Sequence, residues 1–153
     1  MAETTARQVA DYIIHFLAEH GDPVSNLKLQ KLLYYSQAWY LALYNKPLFG
    51  ERIEAWTHGP AIPPIYGEFK AWSWKPIPPP KRVRALPKKI ESHINEVLEV
   101  YGNFSAYQLE RLTHQEDPWK NARVGLASDQ PSHNVIRLED MKKYYRALLH
   151  DKN

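Results

Sequence analysis

Apolar positions recur every three to four residues through most of the chain, so helices are expected to dominate. Val9, Tyr12, Ile13, Phe16 and Leu17 form one such face, on a helix expected to begin near Thr4 or Thr5 and to end at Gly21-Asp22-Pro23. A second helix is expected over about 26–45. Ser25 is placed to cap its first turn, and Val24 and Leu29 occupy the two positions of a hydrophobic staple. Asn26, Gln30 and Gln37 share one narrow stripe of this helix, while Lys28 and Lys31 mark a second polar edge in its N-terminal half. From Ala38 to Tyr44 the sequence is apolar or aromatic nearly all round. A helix of that kind is surrounded by other elements, which puts it at the centre of the fold. Asn45-Lys46-Pro47 ends it.

The pattern then changes. In Arg52–Trp56, Ile53 and Ala55 alternate with Glu54 and Trp56, the signature of a short strand. Thr57-His58-Gly59-Pro60 reads as a turn, and Pro63 and Pro64 suit the first turn of a short helix through Tyr66 and Phe69. Residues 75–89 hold five prolines, six basic residues and no acidic one. This stretch is expected to be a surface loop of polyproline character within a single domain, because the part that follows is too small to fold alone. A third long helix is expected from about Pro87 to Tyr101, burying Ile90, Ile94, Val97, Leu98 and Tyr101, with Gly102 as its stop. Ser105 and Gln108 form a capping box for a fourth, Phe104 and Leu109 add a staple, and Leu109 and Leu112 point inward. At Asp117-Pro118 the chain breaks, and Asp117 is expected to cap a short helix over Trp119–Arg123. Residues 125–133 read as loop and 134–137 as a short strand pairing with 52–57; a last helix covers 138–149. The expected fold class is therefore mainly α: one domain around a central helix, with a small two-stranded antiparallel element of 52–57 with 134–137.

Composition narrows the function. The 153 residues suit one domain, and 44% hydrophobic with 12% aromatic content supports a packed core rather than disorder. Without cysteine there is no disulfide, thiolate zinc site or cysteine nucleophile. The longest apolar stretch, Leu32 to Leu43, is interrupted by Ser36 and Gln37 and falls short of the roughly 20 residues a membrane span needs. The opening stretch lacks the basic start and apolar run of a signal peptide, so a cytoplasmic location is expected. A net charge of +3 is a weak argument for nucleic acid as a partner.

His58-Gly59-Pro60 is the first candidate for chemistry, since a Gly-Pro turn presents the preceding imidazole rigidly as a ligand or general base. Packing on Trp56, or a hydrogen bond to a backbone carbonyl, is the favoured reading. His58 and His114 with Glu116 and Asp117 offer two histidines and a carboxylate for a metal, but no His-Glu-x-x-His spacing supports it. The two acids stand at a helix break where carboxylates cap, and His114 stands near a helix C-terminus. Neither a metal nor a cofactor is expected. No serine sits in G-x-S-x-G and no Gly-rich phosphate loop occurs. His15, His20, His93, His133 and His150 show no grouping and read as surface residues. Trp72 and Trp74 precede the basic loop, a mixture that suits stacking on single strands or anchoring a protein interface. These features together point to a binding protein.

Three blocks give the chain a family resemblance. The first is Asn26-Leu27-Lys28-Leu29-Gln30-Lys31-Leu32-Leu33-Tyr34-Tyr35 with Gln37-Ala38-Trp39. The second is Ile53-Glu54-Ala55-Trp56 with His58-Gly59-Pro60, Pro63 and Tyr66. The third is Leu112-Thr113-His114 with Pro118-Trp119 and Ala122-Arg123. In this order they resemble the Panacea domain family of SocA-like antitoxins, which includes phage-associated GepA-type proteins. The resemblance implies an antitoxin that binds and neutralises a cognate protein toxin, with no catalysis of its own. It also implies, for one type of member, delivery of the toxin to an ATP-dependent protease, and for many, a prophage or other mobile element as their source. On this reading Lys31, Tyr35, Trp39, Trp56, His58, Gly59, Pro60, Tyr66, Thr113, His114, Pro118 and Trp119 are motif residues of mainly architectural role. Contact with the partner is expected at Trp72, Trp74, Arg82 and Arg84. The alternatives are a small metal-dependent or acid–base enzyme using His58 and His114, and a nucleic-acid-binding module using residues 75–89.

Overall fold

In the computed structural model, which describes residues 2–151, the chain is mainly α-helical, with seven α-helices and one two-stranded antiparallel sheet among the described residues. Helix α1 (Ala6–Glu19) starts at a full capping box: the Thr5 hydroxyl accepts from the Gln8 N–H (3.2 Å), and the Gln8 side chain accepts from the Thr5 N–H (3.1 Å). Val9, Ile13 and Leu17 are buried, while Tyr12 and Phe16 flank the same face half-buried.

Helix α2 (Asn26–Tyr44) is capped by Ser25 and ends at Asn45, which takes the left-handed conformation with φ 61°. Every residue from Leu29 to Ala38 is buried. Its polar stripe is therefore internal, and each member is used. Gln30 accepts from the Ile62 N–H (2.8 Å) and donates to Asn26 (2.9 Å), which donates to the Tyr66 carbonyl (3.1 Å). Gln37 accepts from the Leu48 N–H and donates to the Phe49 carbonyl, both at 2.7 Å, pinning the connection that follows the helix. Lys28 and Lys31 form no exposed edge. Lys28 is half-buried and donates to the Gly102 carbonyl (2.6 Å), and Lys31 is only 2% exposed.

Strands β1 (Glu54–Trp56) and β2 (Gly59–Ala61) form the two-stranded antiparallel sheet, with Ala55 opposite Pro60, whereas the expected pairing of 52–57 with 134–137 is present only as a single antiparallel bridge. Thr57-His58 alone is the turn, and Gly59-Pro60 belongs to the second strand. A two-residue connection closes at lower entropic cost than one spanning about half of the chain. Pro60, which has no N–H to donate, is tolerated because β2 is an edge strand. Residues 134–136 lie along the other edge of β1 through a bridge between Glu54 and Val135, with backbone bonds from Ala55 to Asn134 and from Ile136 to Ile53, both 2.8 Å.

Helix α3 (Pro63–Phe69) runs into a 3-10 turn (Lys70–Trp72), and the basic, proline-rich segment follows as an exposed loop. Ile77 and Leu86 tie it down: both are buried, and the Ile77 N–H donates to the Val24 carbonyl (2.8 Å). Helix α4 (Lys88–Tyr101) buries the five predicted residues and also His93, which is not on the surface as its lack of grouping suggested. His93 Nε2 lies 2.9 Å from the Ser36 carbonyl, and burial holds the imidazole below its usual range despite that bond. Helix α5 (Ala106–His114) starts at the Ser105–Gln108 capping box. In helix α6 (Asp117–Ala122), Asp117 is a first-turn residue and Glu116 takes the cap position, without a side-chain cap bond. Helix α7 (Leu138–Asp151) buries Met141 and Tyr145. One hydrophobic cluster draws residues from all seven helices. No helix among the described residues is long and apolar enough to cross a membrane.

Candidate partner-binding surfaces

Most of the motif residues hold elements together. Tyr35 stacks on Tyr101 with ring centroids 3.9 Å apart and planes 8° from parallel. The Tyr35 and Tyr145 hydroxyls donate to the same oxygen of Glu116, at 2.7 and 2.8 Å, and the Tyr145 oxygen lies 3.1 Å from that of Tyr34. The Trp39 indole N–H donates to the Tyr101 oxygen (2.8 Å). This seam joins α2, α4, α7 and the start of α6. Burial pushes the Glu116 carboxyl above its usual range, although both tyrosine donors pull it down. Pro118 and Trp119 are buried on α6; the Trp119 N–H donates to the Trp56 carbonyl (2.9 Å), and its ring stacks on His114 at 4.0 Å. Buried Arg123 donates to the carbonyls of Ala55 (2.9 Å), Ala127 (3.1 Å) and Gln130 (2.5 Å), tying the sheet to the loop after α6.

A cleft of about 250 Å³ lies between the first half of α2, the hairpin and residues 131–133. Leu27, Trp56, Ala61 and Tyr66 give it apolar and aromatic walls, His58 and His133 stand at its sides, and Lys31 lines it from α2. Gly59 explains how the hairpin comes so close to α2. Its φ is 107°, a region that favours glycine, and a Cβ there would lie 2.6 Å from Lys31 Cε and 3.1 Å from Thr113 Oγ1. Buried Thr113 turns its hydroxyl to the Glu110 carbonyl (2.8 Å).

Lys31 is the unusual group in the cleft. Among the described residues no hydrogen-bond acceptor or ion-pair partner meets its ammonium. Burial brings its pKa down from 10.5 to about 8, and the field of Glu110 offsets this only in part. The Glu110 carboxylate is engaged elsewhere, 3.3–3.4 Å from Nδ1 of His58. His58 is exposed beside that carboxylate, rather than packed on Trp56 or bonded to a carbonyl. Trp56 meets Tyr66 edge-on at 4.9 Å and donates to Glu54 (2.8 Å). Glu54 is itself buried, and His133 (3.1 Å) and Arg52 (2.8 Å) complete its partners. Burial raises the Glu54 carboxyl, but these three partners outweigh it and hold it below the usual range. His114 has a buried Nε2 without a partner; burial and the nearby Lys31 lower its pKa, against Glu110 and a bond with the Thr57 backbone.

His58 and His114 both adjoin Glu110, yet no group of three or more metal-ligating side chains forms among the described residues. What the cleft offers is one buried cation with free donors inside aromatic walls. Sequence reasoning gave Lys31 an architectural role and missed this. The available signal was that Lys31 is the only charged residue from Leu29 to Tyr44, in a helix that had to be enclosed on all sides.

A second surface is the basic loop. Trp74 is 75% exposed and Trp72 43%, and Arg82 and Arg84 are exposed as well. None of these four lines the cleft.

The family model described as "Antitoxin SocA-like, Panacea domain" matches residues 29–120, from α2 into α6. The chain is similar to Antitoxin SocA of Caulobacter vibrioides (strain NA1000 / CB15N), with 34% identity over 133 residues, covering 74% of this chain and 68% of that protein. No solved structure matches the chain.

Proposed function

The chain belongs to the SocA-like, Panacea-domain antitoxin family, and on that premise we propose that it neutralises a cognate protein toxin by binding it directly. The match over residues 29–120 carries this reading, because it spans the central helix, the hairpin and the tryptophan-bearing loop. An antitoxin role is non-enzymatic, and the chain acts as one cytoplasmic domain by occupying its partner rather than by turnover. The proposed contact residues are Trp72, Trp74, Arg82 and Arg84, all exposed and of the two types that most often anchor protein interfaces. Buried motif residues such as Tyr35, Pro118 and Trp119 hold the scaffold together.

Expression of the adjacent reading frame, with and without this chain, tests the proposal. The expected result is growth arrest relieved by co-expression. A harmless neighbour, or toxicity that persists in the presence of this chain, overturns it. Repeating the rescue in a host without its ATP-dependent proteases separates the two routes: survival there means sequestration, and loss of rescue there means delivery for degradation.

A further inference from the structure

We propose that the cleft between α2 and the hairpin is a carboxylate-binding pocket, in which Lys31 pairs with an acidic group presented by the protein partner. The inference rests on the antitoxin reading for the identity of the partner, but on this chain's own geometry for the chemistry of the ligand. Lys31 is 2% exposed and carries three N–H donors with no acceptor among the described residues. A buried ammonium left unpaired is costly, and an anion brought to it gains both a Coulombic attraction and strong charge-assisted hydrogen bonds.

The neighbouring acids do not supply that partner. Glu110 is held by His58, and Glu54 by Trp56, His133 and Arg52. Both carboxylates are thus drawn aside; Leu27, Trp56, Ala61, Tyr66 and Pro131 give the cleft apolar or aromatic walls, to which Gln30, Thr57 and Ser132 add polar groups. Such walls exclude water around the ion pair and suit the methylene stem of a side chain. The volume, about 250 Å³, matches one inserted side chain or chain end rather than an extended polymer. Exposed His58 and His133 at the sides, beside the half-exposed Leu27, leave the mouth open to an approaching surface.

Two small probes separate the sources of the carboxylate. N-acetylglutamate N-methylamide presents an internal acidic side chain, and N-acetylalanylalanine presents a chain terminus. Each is titrated into the isotope-labelled full chain while the Lys31 Cε and Trp56 Nε1–H resonances are followed. Saturable shifts at both positions are expected, at least tenfold weaker with the glutamine analogue, and absent in Lys31→Met. The tighter of the two probes identifies the source. Equal shifts with glutamate and glutamine, equal shifts with inorganic phosphate, or retained shifts in Lys31→Met overturn the pocket. Thermal melting of Lys31→Met controls for folding.

The toxin then tests its biological use. Wherever this chain rescues growth, Lys31→Met is expected to bind the toxin at least tenfold more weakly. If it rescues and binds as well as the parent, the pocket is not the partner's site, and the antitoxin reading stands without it. If the probes bind but no neighbouring frame is toxic, the carboxylate pocket stands and the antitoxin reading falls.

Discussion

Replacing Lys31 with methionine is expected to make the protein more stable at neutral pH, an unusual outcome for a buried motif residue. The lysine pKa falls from 10.5 to about 8 on folding, chiefly through burial; each pKa unit corresponds to about 1.4 kcal/mol, so the whole change corresponds to roughly 3 kcal/mol. The direction follows from proton binding. Below pH 8 Lys31 is charged in both states, and the folded state bears the full desolvation cost. Between pH 8 and 10.5 the folded chain has lost the proton that the unfolded chain still holds, so stability rises with pH and the cost is recovered. Methionine has a similar stem and no head group to desolvate. No hydrogen bond is broken, because the ammonium has no acceptor among the described residues. The favourable field of Glu110 is already contained in that net change. The expected net effect at pH 7 is about 2–3 kcal/mol of added stability, or on the order of 5–10 °C in Tm. Urea unfolding of both proteins from pH 6.5 to 10 measures it, with the urea dependence unchanged and the difference shrinking steadily above pH 8. A less stable variant at pH 7, or a difference that does not change with pH, would refute the reasoning.

Three further outcomes follow from the geometry. Gly59→Ala forces a side chain into a φ of 107° and within 2.6 Å of Lys31 Cε; a loss of at least about 2 kcal/mol is expected in urea unfolding, and a loss below half that would contradict the tight apposition of α2 and hairpin. Arg123→Ala orphans three carbonyls, those of Ala55, Ala127 and Gln130; a cost of about 3–5 kcal/mol is expected, read by thermal or urea denaturation. Trp74→Ala combined with Arg82→Glu changes exposed side chains only, so Tm is expected to stay within about 2 °C, while toxin binding measured by calorimetry weakens at least tenfold. Unchanged binding would remove the loop from the interface.

What could be read in the sequence was mostly what local chemistry decides. Thr5, Ser25 and Ser105 cap helices through bonds three residues away, so the starts of α1, α2 and α5 follow from short motifs. Ala38–Tyr44 was expected to be enclosed on all sides, yet Leu43 and Tyr44 are exposed; the fully buried run is Leu29–Ala38, sealed by segments that arrive from elsewhere in the chain. The hairpin was harder, because strands of three residues carry too little alternation to fix a partner, and Gly59-Pro60 has the composition of a turn although it is a strand. Asp117 and His93 were misplaced for a related reason. Whether an acid caps, or a histidine is buried, is decided by residues such as Ser36 and Tyr35 that arrive from distant segments. For the candidate site, the motif residues were legible as a set, and the exposure of Trp72, Trp74, Arg82 and Arg84 agrees with a surface loop. The lysine-lined cleft was not legible, since it exists only where α2, the hairpin and residues 131–133 meet.

Direct binding is best put to the test with the purified chain and the purified product of its neighbouring toxic frame, mixed at increasing concentration in the analytical ultracentrifuge. The expected result is a single faster-sedimenting complex of fixed stoichiometry, formed at concentrations where the toxin is neutralised. Two independently sedimenting species in a mixture that still protects cells would mean that neutralisation does not proceed through a direct complex.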